Sequence, residues 1–249
     1  MTCWAGALVP RAFAPSLAGK VSLVPEISAI KLSTPPSTPA STPLSTEFDR
    51  QLNNLVSYGY PDLAGLTEHE FVRRLAPLTE LLPRVSPPSA AEAADRIPFV
   101  IVVAGDLLAA DRAMPLVQLG RTNGFTTMQA DDLKRFTAID SVSLPDGSAY
   151  LVTDLDTGVD TLGVVPDEAI GTIVQQQRSP LTIHEGIALI THYPDVLTKQ
   201  NSFSLLGSRC GDRRVPALWV SQGRPRLGWC WAGAPHTWLG SASCATRLA

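Results

Sequence analysis

The sequence predicts an α+β fold with N-terminal helices, a small mixed or antiparallel sheet and a C-terminal β-hairpin. Three observations lead there. Apolar residues recur at helical spacing behind two Ser/Thr-x-x-Glu capping boxes, Thr67–Glu70 and Thr182–Glu185. Ile97–Val103 is a short, β-branched apolar run, the pattern of a strand covered on both faces and the expected central strand of the sheet. Val215–Ser221 and Arg226–Trp231 flank Gln222-Gly223-Arg224-Pro225, which reads as a turn between two strands.

Taken in order, residues 1–45 read as a disordered or misassigned N-terminal extension. Ser33–Thr46 alternates Pro with Ser and Thr, and such a stretch buries too little apolar area to offset its ordering entropy. A single globular α+β domain is expected over 46–249, with a soft connector at 86–95. Phe48, Leu52, Leu55 and Val56 share a helical face that Gly59 ends. Phe71, Leu75 and Leu78 line the next helix, ended or bent near Pro77, with His69 solvated in its first turn. A short helix is expected over Asp131–Phe136, and a β-hairpin over Ser148–Asp154 and Val159–Val165. Pro166-Asp167-Glu168 opens a helix, because proline suits its first position and acids its positive end.

Composition sets limits on function. With 45% hydrophobic and 17% charged residues, the 249-residue chain reads as globular. A net charge of −3 supplies no global attraction to nucleic acid or to an anionic membrane, so neither is expected as a partner. Four cysteines are too few for a disulfide scaffold and fit a reducing compartment. No apolar run reaches membrane-spanning length, and Pro10, Arg11 and Pro15 interrupt any secretory apolar core, so a cytoplasmic location is expected. Charge is nevertheless uneven. From Phe203 onward six arginines face the single Asp212, which makes this segment +5 and the rest of the chain −8.

The same segment carries Trp219, Trp229, Trp231 and Trp238 in SLLGSRCGDRRVPALWVS and PRLGWCWAGAPHTWLGSASC. Together with YLVTDLDTG and SPLTIHEGIALITHYP upstream, these motifs resemble an actinobacterial family of conserved proteins of unknown function. The resemblance runs from about Phe48 to the C-terminus and implies a cytosolic single-chain protein. It brings no activity, cofactor or catalytic residue.

Of two motif readings, one is disfavoured and the other fails on chemistry. Asp156-Thr157-Gly158 resembles the loop of retroviral-type aspartic proteases, whose two copies share one proton. Only one copy is present, so a homodimer would be needed; no Gly-rich flap or later apolar-apolar-Gly element is identified, and a hairpin turn with Asp154 and Asp160 on its solvent side explains Asp and Gly better. His184-Glu185 lacks the second histidine of the zinc-protease helix. Ala188 stands there, and His192 lies a further turn along, beyond reach of a shared ion.

Three readings of the C-terminal segment stay open. In the first, Arg209, Arg213, Arg214 and Trp229 bind a small anionic or aromatic ligand, with His236 nearby. In the second, Cys210 is a nucleophile whose thiolate the arginines favour, with His236 as base and Asp212 as orienting group. In the third, Cys210, Cys230, His236 and Cys244 hold structural zinc, although their spacing has no paired-cysteine knuckle. No other cofactor is expected, and the oligomeric state is open. Stacking of single-stranded nucleic acid on the tryptophans is disfavoured by the acidic remainder.

Overall fold

Helix α1 (Leu44–Ser57) buries Phe48, Gln51 and Leu55 on one face and ends before Gly59, whose φ of 81° no helix continues through. It opens the part of the chain described by the computed structural model, residues 44–86, 88 and 96–249, which lies within one compact unit, Ser37–Ala249. The extension expected over residues 1–45 falls outside the described residues except Leu44 and Ser45, which are already helical. Most of the connector expected at 86–95 also lies outside them.

After α2 (Tyr60–Leu63), helix α3 (Glu68–Leu75) starts on the expected capping box. Thr67 Oγ1 accepts the Glu70 amide, and the Glu70 carboxylate accepts the Thr67 amide at 2.9 Å. His69 is exposed. The chain tightens into a 3-10 helix over Ala76–Arg84, with Pro77 in its first turn. Strand β1 (Arg96–Val103) follows, then α4 (Ala110–Ala113) and the short strands β2 (Gln118–Leu119), β3 (Thr122–Asn123) and β4 (Phe125–Thr126). Next come α5 (Ala130–Leu133), β5 (Thr137–Ala138), β6 (Ala149–Asp156), α6 (Pro166–Gln175), β7 (Ser179–Pro180) and α7 (Ile183–His192). The C-terminal part is all strand: β8 (Ser202–Ser204), β9 (Ser208–Arg209), β10 (Arg214–Ser221), β11 (Arg224–Trp231), β12 (Leu239–Ser241), β13 (Ser243–Cys244) and β14 (Thr246–Leu248).

Two five-stranded sheets organise these elements, one in the order β1-β6-β13-β7 with β14 also on β6, the other β12-β8-β10-β11-β4. The first is antiparallel throughout. The second mixes antiparallel β8-β10-β11 with parallel contacts at β12 and β4. One core cluster runs from Phe48 to Leu248, and a smaller one beneath α6 joins Ala169, Ile173, Leu206, Val215 and Ala232. The expected hairpin is present as β10-β11, with Gln222 and Gly223 both at positive φ, as a two-residue hairpin turn requires.

Two expectations are corrected. Strand β1 is buried as predicted, yet it lies at the edge of its sheet rather than at the centre. Its free edge is closed by side chains. The Gln51 amide accepts Ile101 N–H at 2.8 Å and donates to Phe99 C=O at 2.9 Å, in place of a further strand, and His192 Nε2 bonds Ile101 C=O at 3.1 Å. The hairpin expected over 148–165 does not form. Strand β6 pairs instead with β1, β14 and β13, and residues 159–161 form a 3-10 turn tied to the C-terminal strands. Thr161 Oγ1 donates to Gly158 C=O at 2.8 Å and accepts the Ser241 amide at 2.8 Å.

Candidate functional site

The Asp156-Thr157-Gly158 loop is a backbone junction. Asp156 accepts the Gly158 amide at 2.7 Å and pairs with Arg96 at 3.2 Å. Gly158 and Gly240 pass so closely that a Cβ on either would strike the other segment's backbone. Trp238-Leu239-Gly240 is therefore an apolar-apolar-Gly element packed on this loop, which sequence reasoning missed because it lies some eighty residues downstream. The aspartate is nonetheless engaged by Arg96. Asp154 is held by Arg96 and Arg178. The second capping position also carries a larger load than expected. Glu185 is fully buried, accepts the Thr182 amide at 2.7 Å and pairs with Arg247 at 2.5 Å, and Tyr150 donates to it at 3.2 Å.

The 208–214 loop starts from β9, which pairs with β5, and runs into β10. Its charges are mostly matched. Arg209 meets Asp167 at 3.2 Å. Arg214 makes a bidentate pair with Asp132 at 2.6 and 2.9 Å and a further contact with Asp212 at 3.0 Å. Arg213 is exposed against Gly233 and has no carboxylate partner among the described residues.

Cys210 is buried, and its thiol donates to Asp212 Oδ1 at 3.1 Å. Burial, and then this bond, push the thiol's pKa up, the reverse of the thiolate-favouring surroundings that the sequence suggested. The Arg214 amide and the Cys210 thiol hold Asp212 down at about 2. His236 stacks on Trp238 at 5.2 Å, and no hydrogen bond joins it to Cys210 or Asp212 among the described residues. Cys230 packs on the cluster beneath α6, 3.9 Å from Ser204 Oγ, and Cys244 is buried on β13 with its pKa pushed by burial to about 12. Among the described residues no three His, Cys, Asp or Glu side chains gather at a metal-holding distance.

Strand alternation sorts the tryptophans onto two faces. Trp229 and Trp231 emerge together on one face of β11, 37% and 53% exposed, with rings 4.9 Å apart edge to face. Arg214 lies between Phe136 and Trp229, at 5.4 and 5.7 Å. On the other face Trp219 covers Gly228, where any Cβ would strike the indole, and meets Trp238 at 6.5 Å. Phe125 on β4 and Phe136 after α5 join these faces from far upstream, and no local signal in the sequence announces either.

No helix among the described residues is long and apolar enough to cross a membrane. Comparison with curated proteins finds no match, and comparison with solved structures finds none either. The model of a family of unknown function, DUF5701, matches residues 54–249, and the chain belongs to that family.

Proposed function

We propose that the chain is a cytosolic binding protein that takes a small anionic or aromatic ligand on its Arg- and Trp-rich C-terminal hairpin. The observation that supports this is the Trp229–Trp231 pair. Two large indoles stand exposed and edge to face on a regular strand, where burial would otherwise be expected of them. Arg214, held by Asp132 and Asp212, stiffens the base of Trp229, and Arg213 supplies a charge that no carboxylate among the described residues meets. Arg209 acts in this reading as a brace through Asp167.

Tryptophan fluorescence titration with a panel of aromatic anions tests the proposal. Trp229→Ala and Arg213→Ala are each expected to weaken binding roughly tenfold, the scale of one stacked ring or one charge-assisted bond. Unchanged affinity in both variants would refute this placement of the ligand.

A further inference from the structure

The sheet carries the same arrangement twice, an arginine held between two aromatic rings, but only one copy is electrically complete. Arg214 sits between Phe136 and Trp229 and is neutralised by Asp132 and Asp212. On the opposite face Arg226 sits between Trp219 at 5.1 Å and Phe125 at 5.7 Å. Arg224 lies over the same Phe125 ring at 4.8 Å. Neither of these guanidinium groups has a carboxylate within ion-pair distance among the described residues. Arg224 donates to Asn123 C=O at 2.8 Å and Arg226 Nη2 to Thr127 Oγ1 at 3.0 Å, both neutral acceptors. Arg226 Nε is buried with no acceptor among the described residues. A donor left in that state is costly, and charged donors are the costliest.

We infer that this second face is a distinct binding site for a planar aromatic ring carrying one phosphate or carboxylate. The anion takes the place that Asp132 and Asp212 fill in the first copy, against the Arg224–Arg226 pair. The ring lies against Trp238, which is 36% exposed, meets Trp219 at 6.5 Å with the ring planes tilted by 58° and is backed by His236 at 5.2 Å. Charge and stacking surface are thus contiguous, joined through Trp219. This goes beyond the proposed function, because strand alternation puts the site on the face away from Trp229 and Trp231.

Calorimetric titration of the full chain tests it with two probe sets, adenosine 5′-monophosphate against adenosine and 2-naphthoate against 2-naphthol, with inorganic phosphate as a further probe. The expected result is that at least one of the two anionic probes binds roughly tenfold more tightly than its neutral counterpart and than phosphate alone. Which of the two binds distinguishes a phosphate from a carboxylate ligand. Arg226→Gln and Trp238→Ala each weaken that binding by roughly tenfold. Trp238 is a surface residue, so its variant keeps the test open should Arg226→Gln fold poorly. Absence of binding by both anionic probes, or binding that survives both variants, overturns the inference. Binding lost in Trp229→Ala or Arg213→Ala but retained in Arg226→Gln overturns it while leaving the proposed function standing.

Discussion

Gln51 offers the sharpest test of how the fold is held. Its amide is the only hydrogen-bonding partner found among the described residues for the outward Ile101 N–H, and it donates to Phe99 C=O, with all three residues essentially unexposed. Gln51→Met keeps the volume and removes both backbone bonds, along with the Gln51 bond to Glu47 at 2.8 Å. Each orphaned backbone group then costs about 1–3 kcal/mol, so the pair costs about 2–6 kcal/mol. That is a large share of the roughly 5–15 kcal/mol that holds a typical domain together. Gln51→Ala adds a cavity and should be worse. Urea unfolding, followed by tryptophan fluorescence and circular dichroism, measures the loss. Amide hydrogen exchange supplies the local readout, because Ile101 should lose protection before its neighbours on the β6 side. A Gln51→Met protein within about 0.5 kcal/mol of the parent, with Ile101 still protected, would show that the edge of β1 is closed by something else.

Acid should unfold the protein early, because burial holds the His192 pKa down at about 3 against an ordinary 6.5. The folded pKa is the lower one, so the unfolded chain takes the proton first. Stability is complete above pH 6.5 and falls as pH drops toward 3, by about 2 kcal/mol between pH 7 and 5. Burial lowers His184 as well and acts in the same window, whereas Glu47, lowered despite its burial by bonds from Arg50, Tyr193 and Gln51, enters only below its ordinary 4.5. His192→Gln should therefore flatten the stability profile between pH 7 and 5 without abolishing its slope, and an unchanged profile would contradict the assignment. The C-terminal strand should be indispensable. Arg247→Met leaves the buried Glu185 carboxylate uncompensated at a cost of about 3–5 kcal/mol, and adding Glu185→Gln should recover part of it. A double-mutant cycle in urea reads the coupling, and additive losses would mean that the pair does not act as a unit.

What the sequence determined by itself was local. The Thr67–Glu70 box, the stop at Gly59 and the Gln222-Gly223 turn each depend on neighbours within a few residues, so each could be read in place. Strand alternation along β11 turns Cys230 away from Trp229 and Trp231, onto the cluster beneath α6. Tertiary structure decided whatever rests on partners distant in the chain. Aspartate and glycine at 156–158 look like a hairpin turn in one dimension. They become a backbone junction only because Gly240 and Ser241 arrive there. A run of arginines looks like an anion site until Asp132 and Asp167, 82 and 42 residues away from Arg214 and Arg209, neutralise two of them. The physical reason is the same in each case. Periodicity and capping are set by the geometry of one element, whereas charge pairing, edge closure and exposure are set by whichever element packs opposite, and a residue's neighbours in sequence do not contain that information.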